Sequence, residues 1–161
     1  MDRRDFLKTV AITGAALSIQ HSEAMEILTQ TINNTNGGNP DLVAVMGGEP
    51  EAMFRRAISE LGGMKQFVKP GQKVVVKPNI GWDKVPELAG NTNPRLIAEI
   101  VKQCFAAGAK EVTVFDHTCD DWQKCYKNSG IEAAAKAAGA KVMPAHLESY
   151  YKPVNLPNGQ K

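Results

Sequence analysis

The sequence predicts an α/β fold, an open and mostly parallel sheet of the doubly wound kind with helices on both faces. Three observations carry this. Short Val-rich apolar runs recur at Leu42–Met46, Lys73–Lys77, Glu111–Asp116 and Lys141–Met143. Helical patterns lie between them. The junction from helix to strand is written twice in one grammar, as Ala107-Gly108-Ala109-Lys110 and as Gly139-Ala140-Lys141, which is how successive βα units read.

Each element follows from its residues. Leu42-Val43-Ala44-Val45-Met46 is a continuous apolar run, as expected of a strand buried on both faces, and Gly47-Gly48 breaks it. Pro50 and the acids Glu49 and Glu51 open a helix that keeps Met53, Ala57, Ile58 and Leu61 at helical spacing until Gly62-Gly63. Pro70-Gly71 turns the chain into a second strand, Lys73–Lys77, stopped by Pro78. A polar loop over 79–93 leads to an amphipathic helix from Pro94 to Ala107, with Asn93 as its N-cap and Gly108 as its stop. The third strand, Glu111–Asp116, runs into a polar loop, His117–Asp121. Ser129 opens a helix over Ile131–Ala138, and Lys141–Met143 is the fourth strand. The plan is Rossmann-like.

The amino-terminal residues read differently. Asp2-Arg3-Arg4-Asp5-Phe6-Leu7-Lys8 and the mild apolar run Val10–Ile19 have the form of a twin-arginine export signal, cut after Ala24 at the small-x-small site Ser22-Glu23-Ala24. Residues 25–40, rich in Asn and Gly, read as a flexible linker to an α/β domain over 41–161. Export would be after folding, through the twin-arginine translocase, to the periplasm or the outside. The tail around Pro157-Asn158-Gly159 reads as a turn into a further strand, so the chain is expected to be the N-terminal part of a longer protein.

Composition narrows the function. Lys and Arg number 19 against 17 Asp and Glu, a net charge of +2, which argues against broad electrostatic binding to nucleic acid or to a membrane. No later apolar run approaches the roughly 18 residues of a membrane span. There are three cysteines. Cys119 and Cys125 match neither a zinc nor an iron–sulfur spacing, and a bridge between them stays open, while Cys104 sits in the apolar helical pattern as a core residue. H-E-x-x-H, Walker, G-x-S-x-G and C-x-x-C motifs are all missing from the sequence.

Ligands of open parallel sheets bind beyond the carboxyl ends of the strands, and that rule selects four clusters. Gly47 and Gly48, before a helix N-terminus, would cradle an anion, although a tight turn explains them as well. Lys77-Pro78-Asn79 places a cation that must reach water or a carboxylate, next to an amide that both donates and accepts. Thr92 and Asn93 open the long helix, where capping alone accounts for Asn93. Asp116 and His117 are an acid/base pair or metal ligands at the end of the third strand, although neighbours in an extended segment point to opposite sides. As a site, Lys77 would neutralise substrate charge, Asp116 would act as base or ligand, Asn79 with Gly47, Gly48, Thr92 and Asn93 would bind substrate, and His117 would hold a metal.

Gly62-Gly63-Met64, the block Val74-Val75-Val76-Lys77-Pro78-Asn79-Ile80-Gly81-Trp82, Thr92-Asn93-Pro94, Ala107-Gly108-Ala109-Lys110 and Val114-Phe115-Asp116 together resemble the family known as domain of unknown function 362. The resemblance covers about Val43 to Val142, and its Lys-Pro-Asn block is the most specific part. It implies an α/β domain, sometimes joined to a four-iron ferredoxin module, and a distant likeness to the nickel-dependent lactate racemase fold. A metal or an iron–sulfur cluster would then come from another domain or a redox partner, because this chain has no ferredoxin cysteine run. Two functions are expected. One is an exported enzyme, or enzyme half, acting on a small anionic or hydroxy-acid-like substrate. The other is a non-catalytic binding or assembly module associated with an iron–sulfur redox system, in which Lys77 and Asp116 merely pair.

Overall fold

The computed structural model describes residues 40–157 and 159. The expected export signal and the expected linker up to residue 39 lie outside the described residues, as does Asn158 in the expected final turn.

Three parallel strands form the sheet, in the order β1 (Lys73–Val76), β2 (Glu111–Val114) and β3 (Lys141–Val142). Lys73 pairs with Glu111 and Val76 with Val114, and Thr113 pairs with Lys141. Helix α1 (Pro50–Glu60) precedes the sheet, α2 (Pro94–Ala106) connects β1 to β2, and α3 (Trp122–Asn128) with α4 (Ile131–Ala137) connects β2 to β3. Parallel neighbours need such crossovers, since no tight turn can return the chain to the start of the next strand. The open parallel α/β plan is therefore the one the sequence predicts.

Helices α2 and α4 pack on each other and against the strands, and α1 packs on α2. Side chains alternate across a strand, so Val74, Val76, Val112, Val114 and Val142 face this helical layer. The core there is Ile97, Val101 and Cys104 of α2, Ile131 and Ala135 of α4, and Cys125 and Tyr126 of α3, with Val112 and Val114. Complete burial of each large apolar side chain contributes about 1.5–3 kcal/mol. The alternate positions fall on the other face, where Val75 is 59% exposed. A second helical layer over that face is not among the described residues.

The junction at Gly108 shows why the helix-to-strand grammar needs its glycine. Its φ is +101°, and a Cβ there would lie 3.1 Å from the Cα of Pro70. Gly71 N donates to Gly108 O at 2.8 Å, which ties the turn before β1 to the turn before β2.

Four expectations need correction. Leu42–Met46 forms no strand in this structure; Leu42 and Met46 are 83% and 93% exposed. An apolar run supplies the capacity for a strand, but a ladder partner makes one. Helix α3 fills a stretch, 122–128, to which the sequence pattern assigned no element. Asp121 caps it by accepting from Lys124 N at 3.0 Å, and its short, mostly polar run buries only Cys125 and Tyr126, too few to show a period. Gly130, at φ +71°, rather than Ser129 is the N-cap of α4, and Ser129 closes α3. The strands end earlier than expected, so Lys77, Phe115, Asp116 and Met143 already belong to loops.

Candidate functional site

The parallel pairing of β1 with β2 sets the two loops at their carboxyl ends side by side. Val76 is opposite Val114, and Phe115 N donates to Val76 O at 3.4 Å. The next residues are Lys77 and Asp116. Lys77 Nζ lies 2.5 Å from Asp116 Oδ1, and the two side chains differ sharply in exposure, 64% for the lysine and 5% for the aspartate. The other carboxylate oxygen, Asp116 Oδ2, accepts from Ile80 N at 2.8 Å. Both oxygens of Asp116 are thus engaged by donors, while the ammonium keeps donors directed to water. Below, Tyr126 is buried in α3. Its hydroxyl accepts from Asp116 N at 2.8 Å and donates within reach of Asp116 O (2.9 Å) and Met143 O (3.1 Å). Burial pushes the Tyr126 phenol up from its ordinary value.

The Gly81 carbonyl joins the two loops. It accepts from Cys119 N at 2.9 Å and from Asp120 N at 3.1 Å, and the Cys125 thiol donates to it at 3.6 Å. Asp120 Oδ2 accepts from Asp83 N at 3.0 Å, which makes the tie reciprocal. Within the first loop, Asn79 N donates to Thr92 Oγ1 at 2.9 Å and Thr92 N to Asn79 O at 3.0 Å. The Asn79 side chain accepts from Gly81 N at 3.1 Å and donates to Gly90 O at 3.2 Å. Asn91 bonds both main-chain groups of Trp82, accepting from its N at 3.1 Å and donating to its O at 2.8 Å. Buried or crowded backbone in loops must find such partners, and here short amides supply them.

The structure therefore unites Lys77 with Asp116 and turns Asn79 and Thr92 inward as braces of the loop that carries Lys77. Asn93 caps α2 by accepting from Arg95 N at 2.9 Å. Gly47 and Gly48 form an exposed turn before α1, with φ of +83° and +108°. The chain supplies its own anions at that helix end. Arg95 pairs with Glu49 at 2.5 Å and with Glu51. Glu51 is held below the usual carboxylate range by its own backbone N–H first and then by the Arg95 guanidinium.

His117 is exposed, its ring centroid 6.3 Å from that of Tyr151. Among the described residues, no three His, Cys, Asp or Glu side chains converge into a set that could hold a metal ion. The thiols do not fit an iron–sulfur centre. Cys104 and Cys125 are free and buried, each raised above the usual thiol value by burial, and Cys119 is free and exposed. Two hollows stand out, of about 540 Å³ along α3 (Asp83, Asp121, Gln123, Lys124, Lys127, Asn128) and about 260 Å³ at Gly62–Lys65; neither includes Lys77 or Asp116.

Sequence reasoning missed Tyr126 and the role of Gly81. The density of Asn and Asp over 79–93 and 116–121 was the available signal, since each such side chain seeks a nearby backbone N–H. It also missed His146, which stacks on Trp122 at 4.7 Å between centroids with 8° between the rings, its Nδ1 buried and without a partner.

A stretch of 59 residues, 37% of this chain, is 37% identical to "Thylakoid-associated protein sll1697" of Synechocystis sp. (strain ATCC 27184 / PCC 6803 / Kazusa). The match spans only 18% of that relative's length. No solved structure matches the chain. Residues 74–161, more than half of the sequence, match the family described as domain of unknown function (DUF362). That stretch contains β1 from Val74 on, the Lys77–Asp116 pair, both loops joined at Gly81, and Tyr126, so the arrangement at the strand ends lies within the part of the molecule by which this chain belongs to the DUF362 family.

Proposed function

We propose that the carboxyl ends of β1 and β2 present a binding surface for a small carboxylate or phosphate, with Lys77 as the residue that meets it. The observation that supports this is the asymmetry of the ion pair: the carboxylate is buried and saturated, the ammonium is exposed and has donors to spare. Asp116 is then a positioning residue. With both oxygens accepting hydrogen bonds it is poorly placed to take a proton from a substrate, and its task is to hold Lys77 over the loop braced by Asn79 and Thr92. The exposed ammonium on a braced loop supports reading the surface as a binding module, or as one contribution to a larger site. Export as a folded protein through the twin-arginine pathway belongs to the same proposal and is supported by Arg3-Arg4 and the run that follows.

The test is a ¹H–¹⁵N NMR titration with lactate and, separately, with inorganic phosphate. The amides of Ile80, Gly81 and Asp116 shift and saturate in the native protein, and the response is lost in Lys77→Met. A native protein that responds to neither anion overturns the proposal. The saturation of Asp116 favours a second reading, in which the pair is purely a structural bridge between two loops. That reading is what remains if the titration is silent while Lys77→Met lowers stability.

A further inference from the structure

We propose that Cys119 and Cys125 are an oxidisable thiol pair, which a small-molecule disulfide converts into one internal disulfide beside the Gly81 carbonyl. The proposal stands apart from the strand-end site, since neither thiol is asked to meet an anion. It rests on where the two sulfurs lie. The Cys125 thiol donates to Gly81 O at 3.6 Å. The same oxygen accepts from Cys119 N at 2.9 Å and from Asp120 N at 3.1 Å. Cys119 Sγ lies 3.7 Å from the point that a Cβ on Gly81 would occupy. Both sulfurs thus lie against one residue, and that residue has no side chain to keep them apart. The Asp120 N–H belongs to the peptide bond that follows Cys119, and it also faces the Cys125 thiol as a donor. The buried sulfur therefore sits against the backbone of the exposed one.

The two thiols differ in access, and this sets the order of events. Cys119 is exposed, and Cys125 is fully buried. The Cys119 thiolate attacks the sulfur–sulfur bond of the oxidant. A mixed disulfide forms on Cys119, and the other half of the oxidant leaves as a thiolate. Cys125 then loses its proton and attacks Cys119 Sγ, which forms the internal bond and releases the second half. In sum, two protein thiols are oxidised by two electrons, and one small disulfide is reduced to two thiols. Burial raises the Cys125 thiol, so the second step is the slower. Burial shields Cys125 from reagents in water but not from a sulfur in the adjoining loop. Residues 115–121 belong to no helix or strand, so the loop can supply the approach that disulfide geometry demands, while α3 holds Cys125 in place. Cys104 is buried in α2 and takes no part.

The experiment treats the folded, reduced 161-residue chain with oxidised glutathione at neutral pH. Samples are quenched with acid over several hours, alkylated and mapped by mass spectrometry. The expected product is two hydrogens lighter than the reduced chain, cross-linked between Cys119 and Cys125, with Cys104 still alkylated. Cys125→Ser stops at a glutathione adduct on Cys119 that outlasts any adduct on the native chain by about tenfold or more. Cys119→Ser changes only an exposed position, so it answers even if the Cys125 variant folds poorly; it forms neither adduct nor cross-link while folded. A native chain that fails to react overturns the proposal. So does a native adduct as lasting as that of Cys125→Ser, or a cross-link that uses Cys104 or a second chain instead.

Discussion

The hydroxyl of Tyr126 meets both main-chain groups of Asp116, accepting from its nitrogen at 2.8 Å and lying 2.9 Å from its carbonyl oxygen. One buried phenol from α3 thus fixes the backbone of the residue on which Lys77 rests. Tyr126→Phe leaves Asp116 N without its acceptor inside the protein, and a buried donor stranded in this way costs roughly 1–3 kcal/mol. Urea unfolding of the variant reads that loss, and an unchanged midpoint would show that the phenol holds nothing that packing does not already hold.

Asp116 and Lys77 differ in what their removal leaves behind. Asp116→Ala strands Ile80 N in the core, a loss of roughly 1–3 kcal/mol, and frees an ammonium that water readily takes. Lys77→Met removes the partner on the exposed side, where solvent screens the attraction, and the loss is about 1 kcal/mol or less. Asp116→Asn keeps an acceptor for Ile80 and falls between native and alanine. The order of the three denaturation midpoints is the measurement, and a lysine variant weaker than the alanine variant would contradict the assignment of the buried side.

Gly108→Ala tests the helix-to-strand junction. The added Cβ meets the Pro70 backbone at 3.1 Å in a conformation that L side chains avoid, so stability falls by more than about 1 kcal/mol. The same substitution at Gly48, also at positive φ but with nothing within 4 Å, meets the backbone cost without the clash. Paired thermal melts separate the two terms, and equal losses would mean that Pro70 yields freely.

The three thiols are expected to divide sharply. Cys119 is exposed and reacts with an alkylating reagent in the native protein. Cys104 and Cys125, buried and raised above the ordinary thiol value by that burial, react only on unfolding. Mass spectrometry after brief labelling at neutral pH counts the modified thiols, and two or three labels on folded protein would contradict the packing of α2 and α3.

Glu111 carries a pH signature. Its hydrogen bond with Lys141, and then the charges of Lys141 and Lys73, hold its carboxyl below the usual range. A carboxylate depressed in the folded state adds stability above its unfolded pKa, and that addition is lost as pH falls through the folded value. The acid limb of the stability curve in native protein should therefore be steeper, below the ordinary carboxylate range, than in Glu111→Gln. Superimposable limbs would show that the lysines contribute nothing to folding.

Much of this was legible in the residues. The Val-rich runs at 73–76 and 111–114, the helix starting at Pro94 behind Asn93, and the convergence of functional groups at strand carboxyl ends follow from period, capping and the geometry of parallel sheets. The meeting of Lys77 with Asp116 was legible only as two separate candidates, because strand order is decided by packing and not written in either strand. The bonds that Asn79 and Thr92 make to their own loop were not legible, because a polar side chain in a loop can serve a ligand and a backbone amide with the same atoms. Leu42–Met46 misled, its composition matching the paired strands in everything except a partner.

The register of the sheet sets how the chain reaches this structure. Lys73 meets Glu111, and Thr113 meets Lys141, only after a whole helix has been laid between them. No hairpin offers a local start, so the entropy of closing both loops comes before either ladder can compensate for it. Refolding is therefore expected in milliseconds or slower rather than microseconds.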